Sequence, residues 1–240
     1  MSNVSQRVTL SYSDRVRSFI DIVEIRRAVD AEDLEAIYRL RYDAYRRENF
    51  ILPNPEKLCI DELDDSENHY DFGFYLNGQL LSSMRLHIVT KQNPQCATML
   101  AFPEIVGSWL EQGKILIDPS RFVTDLECTE LYPELPLVMM RLPIMAAQYF
   151  KADHGVFTVR REHVAFYKRV FRSEPMSEFR KFPYVDFDVV LMRTDTRNPD
   201  QGIFKRYPYF RSNYLEQRAL FRNASSSLAF LSDVSENHSE

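Results

Sequence analysis

The chain has 240 residues, enough for one large domain or two small ones and for a sizeable core. Apolar residues make up 45%, which excludes a disordered chain, and a formal net charge of −5 excludes a global basic field for nucleic acid. No apolar run reaches the roughly 18 residues of a membrane span, and the N-terminal stretch lacks the apolar centre of a signal peptide, so the cytoplasm is the expected compartment.

In chain order, IVEIRRAV reads as a short strand in which Ile22, Glu24 and Arg26 alternate with Val23, Ile25 and Arg27. Asp30 is placed to cap the helix DLEAIYRLRYDAYRREN. Its 3.6-residue period puts Leu34, Ile37, Tyr38, Arg41 and Tyr45 on one face. An arginine inside an apolar stripe either snorkels or is paired. After an irregular acidic stretch, DFGFYLNGQLLSSMRLHIV predicts a hairpin around Asn77-Gly78, with the second strand ending near Arg85. QNPQCATMLAFPEIVGSWLEQG reads as loop and short helix, and KILIDPSRFVTD as a strand ending in an acid, a serine and an arginine. PLVMMRLPIMAAQYFKADHG predicts a helix stopped by His154-Gly155. VFTVRREH is a strand, HVAFYKRVF a short helix, VDFDVVLMRTD a strand and YPYFRSNYLEQRALFRN a terminal helix. The order β-α-β-β-β-α-β-α-β-α argues for a mixed α/β fold around a largely antiparallel sheet flanked by helices. One domain over 1–224 and a flexible tail over 225–240 are expected.

The trio Asp118, Ser120 and Arg121 suits a site at a strand end, where a carboxylate accepts a proton and an arginine holds an anion. It suits a surface turn as well, since Asp-Pro-Ser is good turn chemistry. No GxSxG elbow makes Ser120 a nucleophile. Asp61, Glu62, Asp64 and Asp65 lack calcium-loop spacing, and His87, His154 and His163 lack metal-ligand spacing, so no metal is expected. Cys59, Cys96 and Cys128 lie far apart, against a disulfide framework or a zinc site. No GxGxxG or GxxxxGK[ST] occurs, against dinucleotide and P-loop sites. Arg85 lies among apolar neighbours on a central strand and needs a partner. Arg41, Arg85 and Arg121, with Asp61, Asp64 and Asp118, suggest a charge network.

These residues resemble a family. LEAIYRLRYDAYRRENFI, CIDELDD, SSMRL and IDPSRF are similar, in that order, to motifs of acyl-homoserine-lactone synthases, the autoinducer-synthase branch of the acetyltransferase-like (GNAT) fold. Asp118 stands where that family usually has Glu, and Phe50 where it usually has Trp. The later stretch, with His163, Phe166-Tyr167, Arg169, Pro175 and Arg180 to Pro183, is similar to long-chain N-acyl amino acid synthases. The RxxGxG pyrophosphate loop of ordinary acetyl-CoA enzymes is missing.

The resemblance implies an acyltransferase that moves a medium or long fatty acyl group from acyl carrier protein, or from acyl-CoA, to the amine of an amino acid or related small molecule. No tightly bound cofactor is implied. Two alternatives stay open: a lactone synthase using S-adenosylmethionine, and an acyl-binding module without turnover. By the resemblance Asp118 accepts a proton, with Arg121 and Ser120 beside it. Arg41, Tyr45, Phe50, Asp61, Asp64, Arg85 and Phe122 shape the acceptor pocket. Met139, Met140, Leu142 and Phe166 are tunnel candidates that core packing explains equally well. Acyl carrier protein is acidic, so Arg160, Arg161, Lys168, Arg169 and Arg172 are the patch expected to meet it.

Overall fold

The computed structural model describes residues 10–183, 187–199 and 202–222. The tail expected from Ser225 lies outside the described residues. In chain order the elements are α1 (Tyr12–Ile20), β1 (Glu24–Arg27), α2 (Ala31–Arg47), β2 (His69–Leu76), β3 (Gln79–Val89), α3 (Ala97–Ala101), α4 (Pro103–Glu111), β4 (Leu116–Thr124), α5 (Leu126–Leu131), α6 (Leu135–Tyr149), β5 (His154–Arg160), α7 (Val164–Phe171), β6 (Glu174–Pro175), β7 (Arg180–Lys181), β8 (Asp188–Asp195), α8 (Ile203–Arg206) and α9 (Tyr214–Phe221). A single 3-10 turn, Glu62–Asp65, lies between α2 and β2. The strands form one mostly antiparallel sheet in the order β1-β2-β3-β4-β5-β8-β6, with β7 also paired to β8. None of the described helices is long and apolar enough to cross a membrane.

Local chemistry accounts for most boundaries. The Asp30 carboxylate accepts from Asp33 N, 2.9 Å away, and so caps α2 as expected. Asn77 (φ 51°) and Gly78 (φ 83°) both take the left-handed region, the two-residue turn that matches strand twist, and β2 and β3 leave it antiparallel. Several elements differ from expectation, among them the terminal helix, which is a short turn at Pro208–Phe210 followed by α9 from Tyr214. Strand β3 runs four residues past Arg85 to Val89, because Leu86 to Val89 pair with β4. Helix α6 ends at Tyr149, with Lys151 in the left-handed region, and His154-Gly155 opens β5 instead of stopping the helix. Helix α1, capped by a reciprocal Ser11–Asp14 box, was not anticipated.

Strand alternation divides the apolar core between the two faces of the sheet. Phe72, Phe74, Met84, Leu86 and Ile117 pack with α6 residues such as Val138, Met139 and Leu142. Val89, Leu116, Val156 and Leu191 pack with Phe102, Val106 and Trp109 from the α3–α4 side. Each such large side chain, fully buried, contributes about 1.5–3 kcal/mol.

Two irregularities place the site. Strands β4 and β5 are parallel but pair only at Leu116–His154 and Ile117–Gly155, then diverge. Helix α3 packs against both strands beside this split. In β4, the register steps from Ser83–Val123 to Arg85–Ser120, so Arg121 and Phe122 together oppose Met84. That is a β-bulge, with Arg121 at φ 52°. The acid–Ser–Arg motif is therefore neither a turn nor a strand end. It lies inside β4, with Pro119 opposite Leu86.

Candidate active site

The charge network forms, and it is larger than the sequence suggested. Arg41 enters from the buried face of α2 with a fully buried side chain. It donates to Asp64 Oδ1 at 2.8 Å and to Asp71 Oδ1. Arg85 Nη1 donates to Asp61 Oδ1 and to Asp64 Oδ1, each at 2.7 Å, and its Nε reaches Ser120 Oγ at 3.3 Å. Arg121 Nε donates to Asp61 Oδ2 at 3.0 Å, and its guanidinium lies 5.1 Å from the centre of the Tyr45 ring. Three arginines and three aspartates thus balance in charge, as buried ions must.

Local structure explains how these groups meet. Asp61 caps the turn Glu62–Asp65 in a reciprocal box with Asp64, which presents both carboxylates to the sheet. Alternation along β3 puts Arg85 on the α2 face. The bulge sends Arg121 toward the same aspartate that Arg85 holds. Each aspartate's protonation follows from its partners. Burial would raise Asp61 and Asp64, but the arginines outweigh it and both lie below the usual carboxylate range. Asp71 is raised, because its burial is only partly offset by Arg41.

Asp118 does not belong to this network. Its fully buried carboxylate accepts at Oδ2 from Thr98 N (2.7 Å) and Thr98 Oγ1 (2.8 Å), anchoring the first turn of α3. Its Oδ1 is buried with no hydrogen-bond partner. Burial raises the carboxyl group's pKa, and the Thr98 bonds, the Cys96 thiol and the Arg85 charge only moderate that. Asp118 lies one residue past the last β4–β5 pair, at the start of the split. The Tyr167 phenol of α7 feels the Asp118 charge and is pushed up, chiefly by burial, so it stays protonated.

At the far end of the split stands an aromatic wall. Phe50 meets Tyr45 (6.1 Å between ring centres) and Phe187 (5.2 Å), and Arg160 lies 5.3 Å from both Phe50 and Phe187. Phe122, on the bulge, is 38% exposed. A cavity of about 300 Å³ opens beside α3, lined by Glu62, Leu63, Pro94, Gln95, Cys96, Met99 and Leu100. The four tunnel candidates do not line it. Met139 and Leu142 belong to the α6 core, whereas Met140 packs with Phe166 in a separate cluster. The structure separates them because successive residues of a helix face different ways. Of the five patch residues, Arg161, Lys168, Arg169 and Arg172 are exposed. Arg160 is turned to the aromatic wall and paired with Glu162, and Arg161 lies over Phe179.

Sequence reasoning missed Asp71 and Thr98. Asp71 carried one signal, an acid inside an apolar strand. Thr98 carried none.

Residues 36–195 match the model of a family described as N-acyl amino acid synthase FeeM. A search of curated proteins finds no significant match. Among solved structures, the chain is similar to FeeM, an N-acyl amino acid synthase from uncultured soil microbes (TM-score 0.61, 14% identity, 72% of this chain and 91% of that one). It is similar to the AHL synthase LasI (TM-score 0.57, 15% identity, 76% and 95%). It is also similar to an acyl-CoA N-acyltransferase from Pseudomonas aeruginosa (TM-score 0.50, 18% identity, 72% and 97%). These likenesses show the expected fold, a mixed sheet of the acetyltransferase type.

Proposed function

The chain belongs to the N-acyl amino acid synthase FeeM family and is an acyltransferase, and from that premise we propose that it moves a medium or long fatty acyl group from a carrier thioester to the amine of an amino acid or related small molecule. The observation that carries this reading is the conjunction at β4. A strand bulge at Arg121–Phe122 and a buried carboxylate with an unpartnered oxygen lie on the open stretch of the split beyond Ile117.

Acyl transfer to an amine needs a proton acceptor, a donor for the developing oxyanion and a proton for the departing thiolate. Asp118 is the acceptor: a raised pKa makes its carboxylate a better base. The bulge frees a backbone group from the β3–β4 ladder, which suits it to the oxyanion. Tyr167, protonated at neutral pH, is the donor for the thiolate. The arginines hold the acids in place: Arg41 and Arg85 are ion-paired and buried away from solvent, so Arg121, about a quarter exposed, is the one that meets the acceptor's carboxylate. Tyr45 and Phe50 wall that pocket. The cavity beside α3 offers apolar room at Cys96 and Met99, the helix positions that flank Thr98.

Acyl carrier protein is the favoured donor, because exposed cations cluster on α7 and no glycine-rich pyrophosphate loop follows β4. Incubating the purified protein with long-chain acyl carrier protein or acyl-CoA, and with amino acids or S-adenosylmethionine, tests the reading by mass spectrometry. An N-acyl amino acid is expected. A lactone would overturn the acceptor assignment, and no transfer from either donor would leave a binding module.

A further inference from the structure

We propose that Thr98 is the positioning residue of this site: it ties up one oxygen of the Asp118 carboxylate and leaves the other to take the proton. The inference rests on the reading of Asp118 as the base. A carboxylate has two oxygens, each with lone pairs that can accept. A base works only when the accepting oxygen is held within hydrogen-bond reach of the proton, directly or through one water. Asp118 and Thr98 are both fully buried, so bulk solvent does not choose between the oxygens.

Both Thr98 donors reach the same oxygen. The backbone N lies 2.7 Å from Asp118 Oδ2 and the hydroxyl Oγ1 lies 2.8 Å from it, whereas Asp118 Oδ1 has no hydrogen-bond partner. An ionised carboxylate only accepts, so the Thr98 hydroxyl donates to it. The Cys96 thiol, 3.3 Å from the same hydroxyl, is left to donate to Thr98 Oγ1, and its sulfur accepts from Met99 N at 3.3 Å. Thr98 is itself fixed: its side chain is β-branched, and its carbonyl accepts from Phe102 N at 2.8 Å. A proton taken by Asp118 therefore lands on Oδ1. Oδ2 then becomes the carbonyl oxygen of the acid, which still accepts, so both Thr98 bonds survive the transfer and the site is not rebuilt during turnover.

The titratable groups that face Asp118 stay neutral near pH 7. The Cys96 thiol and the Tyr167 phenol are both raised, chiefly by burial. His87, opposite Asp118 in the β3–β4 register, is lowered to about 3 by burial and the Arg85 charge. Arg85 itself supplies a fixed positive charge to Asp118. Removing the Thr98 hydroxyl changes none of these charges, so its effect is read on Asp118 alone.

The test compares Thr98→Val, which keeps the shape and loses the hydroxyl, with Thr98→Ser, which keeps the hydroxyl. The Asp118 carboxyl is titrated by ¹³C NMR, its resonance identified as the one absent from Asp118→Asn. In Thr98→Val the midpoint is expected to rise by about one pH unit or more, because a hydrogen bond to the charged form is lost. In acyl transfer kcat is expected to fall about tenfold or more with KM retained, because the carboxylate is no longer fixed. Thr98→Ser is expected to restore both. An unmoved midpoint in Thr98→Val, or a Thr98→Ser protein as impaired as Thr98→Val, overturns the proposal. Full activity in Asp118→Asn removes the base and the positioning role with it, whereas an inactive Asp118→Asn with an unmoved Thr98→Val midpoint keeps the base and removes Thr98 alone. If Thr98→Val does not fold, the wild-type Thr98 amide decides. Its ¹H shift is expected to follow the ionisation of Asp118 with the same midpoint, and an amide that does not respond overturns the proposal.

Discussion

Arg85 Nη1 lies 2.7 Å from Asp64 Oδ1, and neither side chain is more than 1% exposed. The same carboxylate oxygen also accepts from Arg41. One aspartate thus neutralises two buried arginines from different elements, tying α2 to the centre of the sheet.

Asp64→Ala is expected to destabilise the protein by about 3–5 kcal/mol, because it strands two buried guanidinium groups. Urea denaturation measures this as a lower midpoint with unchanged slope. A loss below about 1 kcal/mol would show that Asp61 and Asp71 suffice for both arginines.

Stability is expected to decline as pH falls from 6.5 toward 3, through His87. Its folded pKa of about 3 lies below the ordinary value of 6.5, so in that window the unfolded chain binds one proton more than the folded one. The contribution is complete above 6.5 and lost on acidification, with a slope of at most about 1.4 kcal/mol per pH unit. Asp71 and Asp118 have raised values and act in the opposite sense just above their ordinary range. The difference between wild type and His87→Leu isolates the histidine. If both proteins show the same slope, His87 is not held neutral.

Asp118→Asn is expected to lower the rate of acyl transfer by about 100-fold or more, since general base catalysis contributes that much. The amide retains an oxygen for Thr98, so the fold is expected to survive. Normal folding with an unchanged rate would remove Asp118 from the mechanism and leave it as the anchor of α3.

Replacing Lys168, Arg169 and Arg172 together by Glu is expected to raise KM for acyl carrier protein several-fold at low salt, with kcat retained and little change on acyl-CoA. All three side chains are exposed. Equal effects on both donors would place the carrier on another surface.

Much of the architecture was legible because its causes are local. The Asn77-Gly78 turn, the Asp30 cap and the apolar stripe of α2 each follow from residues a few positions apart. The need of Arg41 and Arg85 for partners was legible too, since their apolar surroundings declare it. Two of their partners, Asp61 and Asp64, were named from the sequence, but Asp71 was not. Counting back from the Asn77-Gly78 turn sets Asp71 opposite Met84, on the wrong face. A register shift after Tyr75–Leu80, which pairs Phe74 with Ser82, moves Arg85 into that place. A second bulge, at Arg121 and Phe122, brings Arg121 to Asp61. It also left the motif inside a strand where turn chemistry was expected. Asp118 shows the same limit from the other side: its residue type marked it, but only the packing of α3 took it away from the arginines and set it beside His87. The sequence by itself determined which residues carry charge into the core and which local elements they ride on. The tertiary structure decided who meets whom, because one extra residue in a strand reverses every side chain beyond it and that choice depends on packing of the whole sheet.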